Sequence, residues 1–77
     1  MIDLATIRRA GGVTQVQLAE RLGITQGQVS RTERQADVLL STLVAYLRAL
    51  RVEAELILTV PGGEAVRHSL TDSRKED

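Results

Sequence analysis

The sequence predicts a mainly α-helical domain of four to five helices, followed by a short C-terminal β-strand or hairpin. Apolar residues recur at helical spacing up to Leu50. Two threonine–glutamine pairs, each three residues apart, mark successive helix starts. After residue 52 the apolar period becomes that of a strand. These patterns assign residues 1–52 to a helical domain, 53–69 to a strand or hairpin, and 70–77 to a polar tail with too little apolar surface to become ordered.

The composition limits the class of protein. The chain has 77 residues, no cysteine, and one tyrosine as its only aromatic residue. Its core must therefore be built from small aliphatic side chains, and such a thin core favours completion by a second copy of the chain. The sequence offers no disulfide or thiolate metal site, no apolar run that could span a membrane, and no signal-peptide pattern. We expect a soluble cytoplasmic protein without a metal or cofactor.

Charge is distributed unevenly although the formal net charge is zero. Residues 1–34 hold five arginines against three acidic residues, and the remainder is slightly acidic. The neutral total argues against a non-specific polyanion binder, whereas the positive N-terminal half fits a limited contact with nucleic acid. Tight binding to nucleic acid would require two copies acting together.

The first two helices are predicted from spacing and capping. Leu4 and Ile7 lie three residues apart, and the first helix should end at Gly11–Gly12. Thr14 precedes a second apolar stripe, and Gln17 completes a capping box with it. A second helix therefore starts directly after Thr14.

The third helix follows the second at very short distance. Gly23 suits the left-handed position that ends a helix, and Thr25 with Gln28 repeats the capping box. The third helix should run to about residue 34. Two capped helices at this spacing form a tight corner of the helix-turn-helix kind, and Ala19 is small where they must cross.

A fourth helix is predicted after a polar link. Ser41 is a good N-cap, and Leu43, Leu47 and Leu50 follow at helical spacing. Tyr46 could lie either at a dimer seam or on the surface.

The segment 53–60 predicts a strand, because apolar side chains at every second position alternate with largely polar ones. Pro61–Gly63 is a turn, and residues 65–68 suit a short return strand. A lone strand leaves backbone groups unpaired, so we favour pairing with the same strand of a second chain about a two-fold axis. The alternative packs the hairpin on the chain's own helices. The residues expected at the dimer interface are Leu47, Leu50, Leu56, Ile57, Leu58 and Val60.

The third helix predicts a contact with DNA. Val29 points to one side at 100° per residue, and an amide, a hydroxyl and two guanidinium groups lie on the other. Glutamine can pair with adenine and arginine with guanine. We predict that Gln26 and Arg31 read bases, and that Ser30 and Arg34 contact phosphates. The competing interpretation is a solvated polar face.

Two more glutamines are candidate contact residues. For Gln28, a structural role in the capping box and a phosphate contact are equally favoured. Gln15 lies at a helix N-terminus, where the dipole favours an anion, and we favour a phosphate contact there.

The run VTQVQLAERLGITQGQVSRTE resembles the helix-turn-helix domains of phage-repressor type, and the resemblance covers roughly residues 4–50. It implies a phosphate contact for Gln15 and a buried, structural ion pair between Arg8 and Glu33. It also implies that Thr25, Gln26, Gly27 and Arg31 face the bases. The full set of predicted DNA-binding residues is then Gln15, Thr25, Gln26, Gly27, Gln28, Ser30, Arg31 and Arg34.

The second half of the chain resembles bacterial antitoxins of the HigA type, and also the HipB type, in which a terminal strand joins a two-chain sheet. This resemblance implies a homodimer that binds a palindromic operator in double-stranded DNA, represses its own operon and binds a partner toxin. The implied toxin is a HigB-like, ribosome-dependent messenger RNase, or as second choice a HipA-like kinase. A free-standing repressor and a module that binds only protein remain as alternatives.

No other residues predict chemistry. Glu53 and Glu55 share one strand face without a nucleophile or metal-ligand neighbour, which is typical of a solvated face. His68, the only histidine, has no ligand partner in the pattern. Gly62–Gly63 lacks the lysine of a phosphate-binding loop and is interpreted as a turn. The sequence therefore predicts a protein that is not an enzyme.

Overall fold

The computed structural model describes residues 2–72. Within them lie four helices and a two-stranded antiparallel hairpin, which confirms the predicted fold class. The elements are α1 (Leu4–Ala10), α2 (Gln15–Leu22), α3 (Gln26–Arg34), α4 (Leu40–Ala49), β1 (Glu55–Thr59) and β2 (Ala65–Ser69).

Both predicted capping boxes are present and create the corner between α2 and α3. The Thr14 hydroxyl accepts from the Gln17 backbone N–H at 3.0 Å, and the Gln17 amide oxygen accepts from the Thr14 N–H at 2.9 Å. Thr25 and Gln28 repeat these bonds at 3.1 and 2.9 Å. Gly23 adopts the left-handed conformation at φ 71° and ends α2. Each bond satisfies a backbone donor that a helix end otherwise leaves unpaired.

The predicted start of α4 was wrong. The helix begins at Leu40, and Leu39 occupies the N-cap position without any side-chain capping bond. The Leu39 carbonyl already accepts the first helical hydrogen bond, from the Leu43 N–H at 3.0 Å. Ser41 therefore lies inside the first turn. Because this helix end is exposed, water can satisfy its free N–H groups, and no capping side chain is required.

One apolar cluster holds the four helices together. Val29 of α3 is fully buried at its centre, and Tyr46 is only 4% exposed, which places the tyrosine in the core rather than at a seam or on the surface. Leu47 and Leu50 are 3% and 6% exposed. These two leucines were expected at a dimer interface, but they face the chain's own interior and are not accessible to a second chain in this conformation. The buried apolar residues are Leu4, Val13, Leu18, Ala19, Val29, Tyr46, Leu47 and Leu50.

The C-terminal hairpin forms within one chain. β1 pairs antiparallel with β2, with Leu58 opposite Val66 and Ile57 opposite Arg67. The intermolecular pairing that we favoured is therefore not needed for this edge of β1. The alternative, packing on the helices, does not describe the hairpin either, because every residue of both strands is exposed.

The boundary of the predicted tail also changes. The Leu70 N–H donates to the Ala54 carbonyl at 3.0 Å, and the Ala54 N–H donates to the Thr71 hydroxyl at 3.2 Å. Residues 70 and 71 thus close the base of the hairpin through backbone-directed bonds, which apolar patterning does not reveal. Residues 73–77 of the predicted tail lie outside the described residues.

Candidate nucleic-acid interface

The N-termini of α2 and α3 meet at one surface. Gln15 is the first residue of α2 and Gln26 the first residue of α3. The Gln26 side-chain amide donates to the Gln15 side-chain oxygen at 2.8 Å. Ala19 of α2 is small and is buried in the same apolar cluster as Val29 of α3, which allows the two helices to cross closely beneath these glutamines. Two positive helix-dipole ends therefore lie side by side at an exposed position, an arrangement suited to a phosphate backbone.

The predicted ion pair is present and buried. The Arg8 Nε donates to Glu33 Oε2 at 2.7 Å, and the two side chains are 10% and 6% exposed. Arg8 also donates to the Val13 carbonyl at 2.9 Å. The guanidinium thus joins α1, the loop before α2, and α3. Removing either partner would leave a buried charge without compensation, so we assign the pair to the structure rather than to a ligand.

The same carboxylate continues into the exposed surface. Gln15 Nε2 donates to Glu33 Oε1 at 3.0 Å. Burial acts to raise the pKa of the Glu33 carboxyl, but the hydrogen bonds from Arg8 and Gln15 and the charges of Arg8 and Arg9 outweigh it and lower the pKa overall. Glu33 is therefore a stable anion near neutral pH.

On the face of α3 around this contact, some side chains are hydrogen-bonded within the chain and others are not. The Thr25 and Gln28 side chains bond to each other's backbone N–H groups, so the structure assigns Gln28 the capping role. Arg34 donates to the Ser30 hydroxyl one turn away. The Arg31 side chain is exposed and makes no hydrogen bond or ion pair with any of residues 2–72. Its guanidinium is the group on this face that is most available to a ligand.

Gly27 lies between these groups without a packing reason to be glycine. A Cβ built there meets only the Thr25 hydroxyl, at 3.9 Å, and the backbone is not in the left-handed region. The missing side chain therefore leaves clearance on the exposed outside of α3.

Arg9 was not among the predicted contacts. It is exposed and borders an open groove of about 500 Å³ that Gln15, Val16 and Gln26 also line. Its neighbour Arg8 is turned into the core, and consecutive helical positions differ by about 100°, so Arg9 is directed to the margin of this surface. The buried Arg8–Glu33 pair that the family resemblance implied was the signal that could have identified Arg9 as the outward-facing arginine of α1.

Other kinds of site are not evident in residues 2–72. No group of three or more histidine, cysteine or acidic side chains that could hold a metal ion occurs there. None of the helices in this part of the chain has the length and apolar character needed to cross a membrane.

Two capped helices that cross at a tight corner, α2 and α3, define the class of helix-turn-helix domains, and here α3 has a polar, arginine-bearing face. The chain belongs to the Helix-turn-helix family, which it matches over residues 4–57. The resemblance to phage-repressor-type domains and to HigA-type antitoxins is thereby confirmed.

Relatives and solved structures agree with this assignment. Antitoxin HigA1 from two Mycobacterium tuberculosis strains (CDC 1551 / Oshkosh and H37Rv) is 41% identical over 59 residues, which are 75% of this chain and 40% of that protein. The chain thus spans about 40% of the length of these curated relatives. A structure described as DNA bound antitoxin HigA3 has a TM-score of 0.75 at 31% identity, covering 88% of this chain and 90% of its own. One described as induced DNA bending by unique dimerization of HigA antitoxin has a TM-score of 0.75 at 30% identity, covering 88% and 93%.

Proposed function

We propose that this chain is a sequence-specific DNA-binding antitoxin that represses its own toxin–antitoxin operon, acting in the cytoplasm without catalysis. One observation carries the DNA-binding part. The side chains of the first residues of α2 and α3 are hydrogen-bonded to each other, so two helix N-termini and the Gln26 amide share one surface. The exposed Arg31 lies further along the same helix. Similar proteins are named as antitoxins, and one structure is described as DNA-bound, which supports the same function for this chain.

In this function α3 enters the major groove. Gln26 pairs with adenine and Arg31 with guanine, each through two hydrogen bonds to a base edge. Arg34, Ser30 and Gln15 contact the phosphates that set the register. Gln15 keeps one N–H for this purpose, because its amide nitrogen has two hydrogens and Glu33 accepts only one of them. Arg9 adds a second phosphate cation beside α2.

The active unit is a homodimer formed through the hairpin. Leu56, Leu58 and Val66 share one exposed apolar face of the strands, and Ile57 lies on the other. Within residues 2–72, β2 is the only strand that pairs with β1, so the second edge of β1 can pair with its copy about a two-fold axis. Such pairing gives a four-stranded sheet and places the two α3 helices on half-sites about one helical turn, roughly 34–36 Å, apart.

The toxin partner is proposed as a HigB-like RNase, with a HipA-like kinase as second choice. The relatives named antitoxin HigA1 support this partner class. A free-standing repressor without a toxin is the alternative to this proposal.

The test is a titration of the purified chain against its own upstream DNA at several salt concentrations, with particle mass measured in parallel. If Arg9 and Arg34 are the phosphate cations of each protomer, a dimer neutralises about four phosphates, and log K should fall against log salt with a slope of roughly −4. Saturation at one dimer per palindrome supports the proposal. Failure to bind any DNA at low salt would contradict it and favour a module that binds only protein. Co-purification with the product of the neighbouring gene separates antitoxin from free-standing repressor.

A further inference from the structure

Three side chains form a continuous hydrogen-bonded relay from the core to the proposed DNA surface. The buried Glu33 Oε1 accepts from Gln15 Nε2 at 3.0 Å. The Gln15 oxygen in turn accepts from Gln26 Nε2 at 2.8 Å. The relay begins at a side chain that is 6% exposed and ends at the exposed first residue of α3.

The anion at the start of the relay determines the direction of every amide in it. A carboxylate only accepts hydrogen bonds, whereas a glutamine amide has an accepting oxygen at one end and a donating NH₂ at the other. Gln15 must therefore turn its NH₂ toward Glu33, because the flipped amide would place two oxygens against each other. Its oxygen then faces Gln26, which must donate. Both amide orientations follow from the charge of Glu33 alone.

This direction decides which base edge Gln26 can match. One of its two N–H groups is occupied by Gln15, which leaves one donor and one acceptor for the ligand. In the major groove adenine presents one acceptor (N7) and one donor (N6–H), the complementary pair. Guanine presents two acceptors, N7 and O6, and would require both N–H groups of Gln26.

We infer that Glu33 is a specificity-determining positioning residue: acting through Gln15, it orients the Gln26 amide so that α3 selects adenine over guanine at one base pair of each half-site. The inference rests on the proposed DNA-binding function and adds a residue that touches no base. Without the relay, Gln26 could rotate to either orientation.

The variant Glu33→Gln tests this inference because it should exchange donor and acceptor at each hydrogen bond between residue 33, Gln15 and Gln26, rather than only weaken these bonds. Arg8 only donates: its Nε bonds to Oε2 at 2.7 Å, and its Nη2 makes a longer bond to Oε1 at 3.3 Å. A glutamine at this position would keep its oxygen on the shorter of these two bonds, lose the longer one, and turn its NH₂ toward Gln15. Gln15 would flip and donate to the Gln26 oxygen, which frees both Gln26 N–H groups for guanine.

The experiment is selection from a randomised pool of DNA duplexes by the full chain, with bases counted at each half-site position. The wild-type chain should enrich adenine at one position. In Glu33→Gln the adenine-to-guanine ratio at that position should fall by about tenfold or more, in line with the discrimination of one bidentate contact. Gln15→Ala cuts the relay without changing the ion pair, and should lower the preference at the same position without favouring guanine. Arg8→Lys is the matched control, since it alters the ion pair but leaves the carboxylate, and adenine should stay preferred.

The outcomes separate this inference from the proposed function. Enrichment of a palindrome by the wild-type chain, with the adenine preference unchanged in Glu33→Gln and Gln15→Ala, overturns the inference and leaves DNA binding standing. An equal fall of the adenine-to-guanine ratio in Arg8→Lys also overturns the inference, because the effect would then come from a changed structure around the ion pair. If Glu33→Gln does not fold, Gln15→Ala alone decides. If the wild-type chain enriches no sequence at low salt, the proposed function and the inference both fail.

Discussion

Replacing Gly27 by alanine should raise stability and weaken DNA binding in the same molecule. The position is helical, and a Cβ there has no neighbour closer than the Thr25 hydroxyl at 3.9 Å. Alanine therefore lowers the conformational entropy of the unfolded chain without creating a clash. Glycine costs about 0.5–1 kcal/mol within a helix, and Gly27 lies in the first turn, so we expect a gain of about 0.5 kcal/mol in the free energy of unfolding. For a domain of this size that raises Tm by roughly 2–4 °C.

The added methyl group lies on the face that we propose approaches the major groove. Holding α3 away from the base edges would weaken one bidentate contact, so we expect a loss of about 1–3 kcal/mol in binding free energy per half-site. Thermal unfolding by circular dichroism and fluorescence anisotropy with labelled operator DNA measure the two effects. Gly11→Ala is the matched control. Its Cβ makes only ordinary contacts, the nearest to the Arg8 carbonyl at 3.6 Å, and DNA affinity should not change.

Two results would refute this reasoning. If Gly27→Ala gains stability but binds operator as tightly as the wild-type chain, no partner approaches this part of α3 closely. If it loses stability, then glycine is needed for the fold itself, and its absence of a side chain says nothing about a ligand.

Three further predictions concern the contact residues, the ion pair and the hairpin. Arg31→Ala should cost about 1–3 kcal/mol and relax the preference at one base pair per half-site; a uniform loss over all sequences, measured on a set of single-base operator variants, would reduce Arg31 to a phosphate contact. Because the folded-state pKa of Glu33 lies below its ordinary value of 4.5, its stabilising contribution is complete above that pH and is lost as pH falls through the lower folded-state value. Urea unfolding across this range should show a steeper loss in the wild-type chain than in Glu33→Gln, and equal curves would contradict the assignment. Leu58→Lys should shift the particle mass in light scattering from dimer toward monomer, whereas Thr59→Lys on the opposite strand face should not; a dimer that persists in Leu58→Lys would place the interface elsewhere.

Local rules of capping predicted the part of the fold that positions the site. A threonine and a glutamine three residues apart complete their hydrogen bonds within one helical turn, so the corner between α2 and α3 needed no knowledge of the rest of the chain. The Arg8–Glu33 pair was predicted only through family resemblance, because the two residues are 25 positions apart. The relay through Gln15 was not predicted, since it exists only once the crossing of α2 and α3 has placed both glutamines beside the buried carboxylate.

Periodicity was least informative about which surface covers an apolar stripe. The spacing of Leu43, Leu47 and Leu50 shows that one side of α4 is buried, but the pattern is the same whether that side meets the chain's own core or a second chain. The structure places Leu47 and Leu50 in the core. In the hairpin, the alternation of apolar and polar residues correctly predicted a strand. It did not reveal what covers the apolar face, because both faces of the strands are exposed in a single chain.

The neutral net charge explains why the proposed interface would depend on directional hydrogen bonds more than on attraction to phosphate. A chain with a formal charge of zero gains little general attraction to DNA, so affinity must come from a few well-oriented groups on each protomer. An amide that rotates freely supplies orientation poorly, since its donor and acceptor exchange places on flipping. Fixing Gln26 through Gln15 to a buried anion removes that freedom before DNA arrives, and Glu33 is itself held by Arg8 from another helix. If Gln26 reads a base as we propose, the ion pair that joins α1 to α3 has two consequences: it holds these two helices together, and it orients the amide that reads the base.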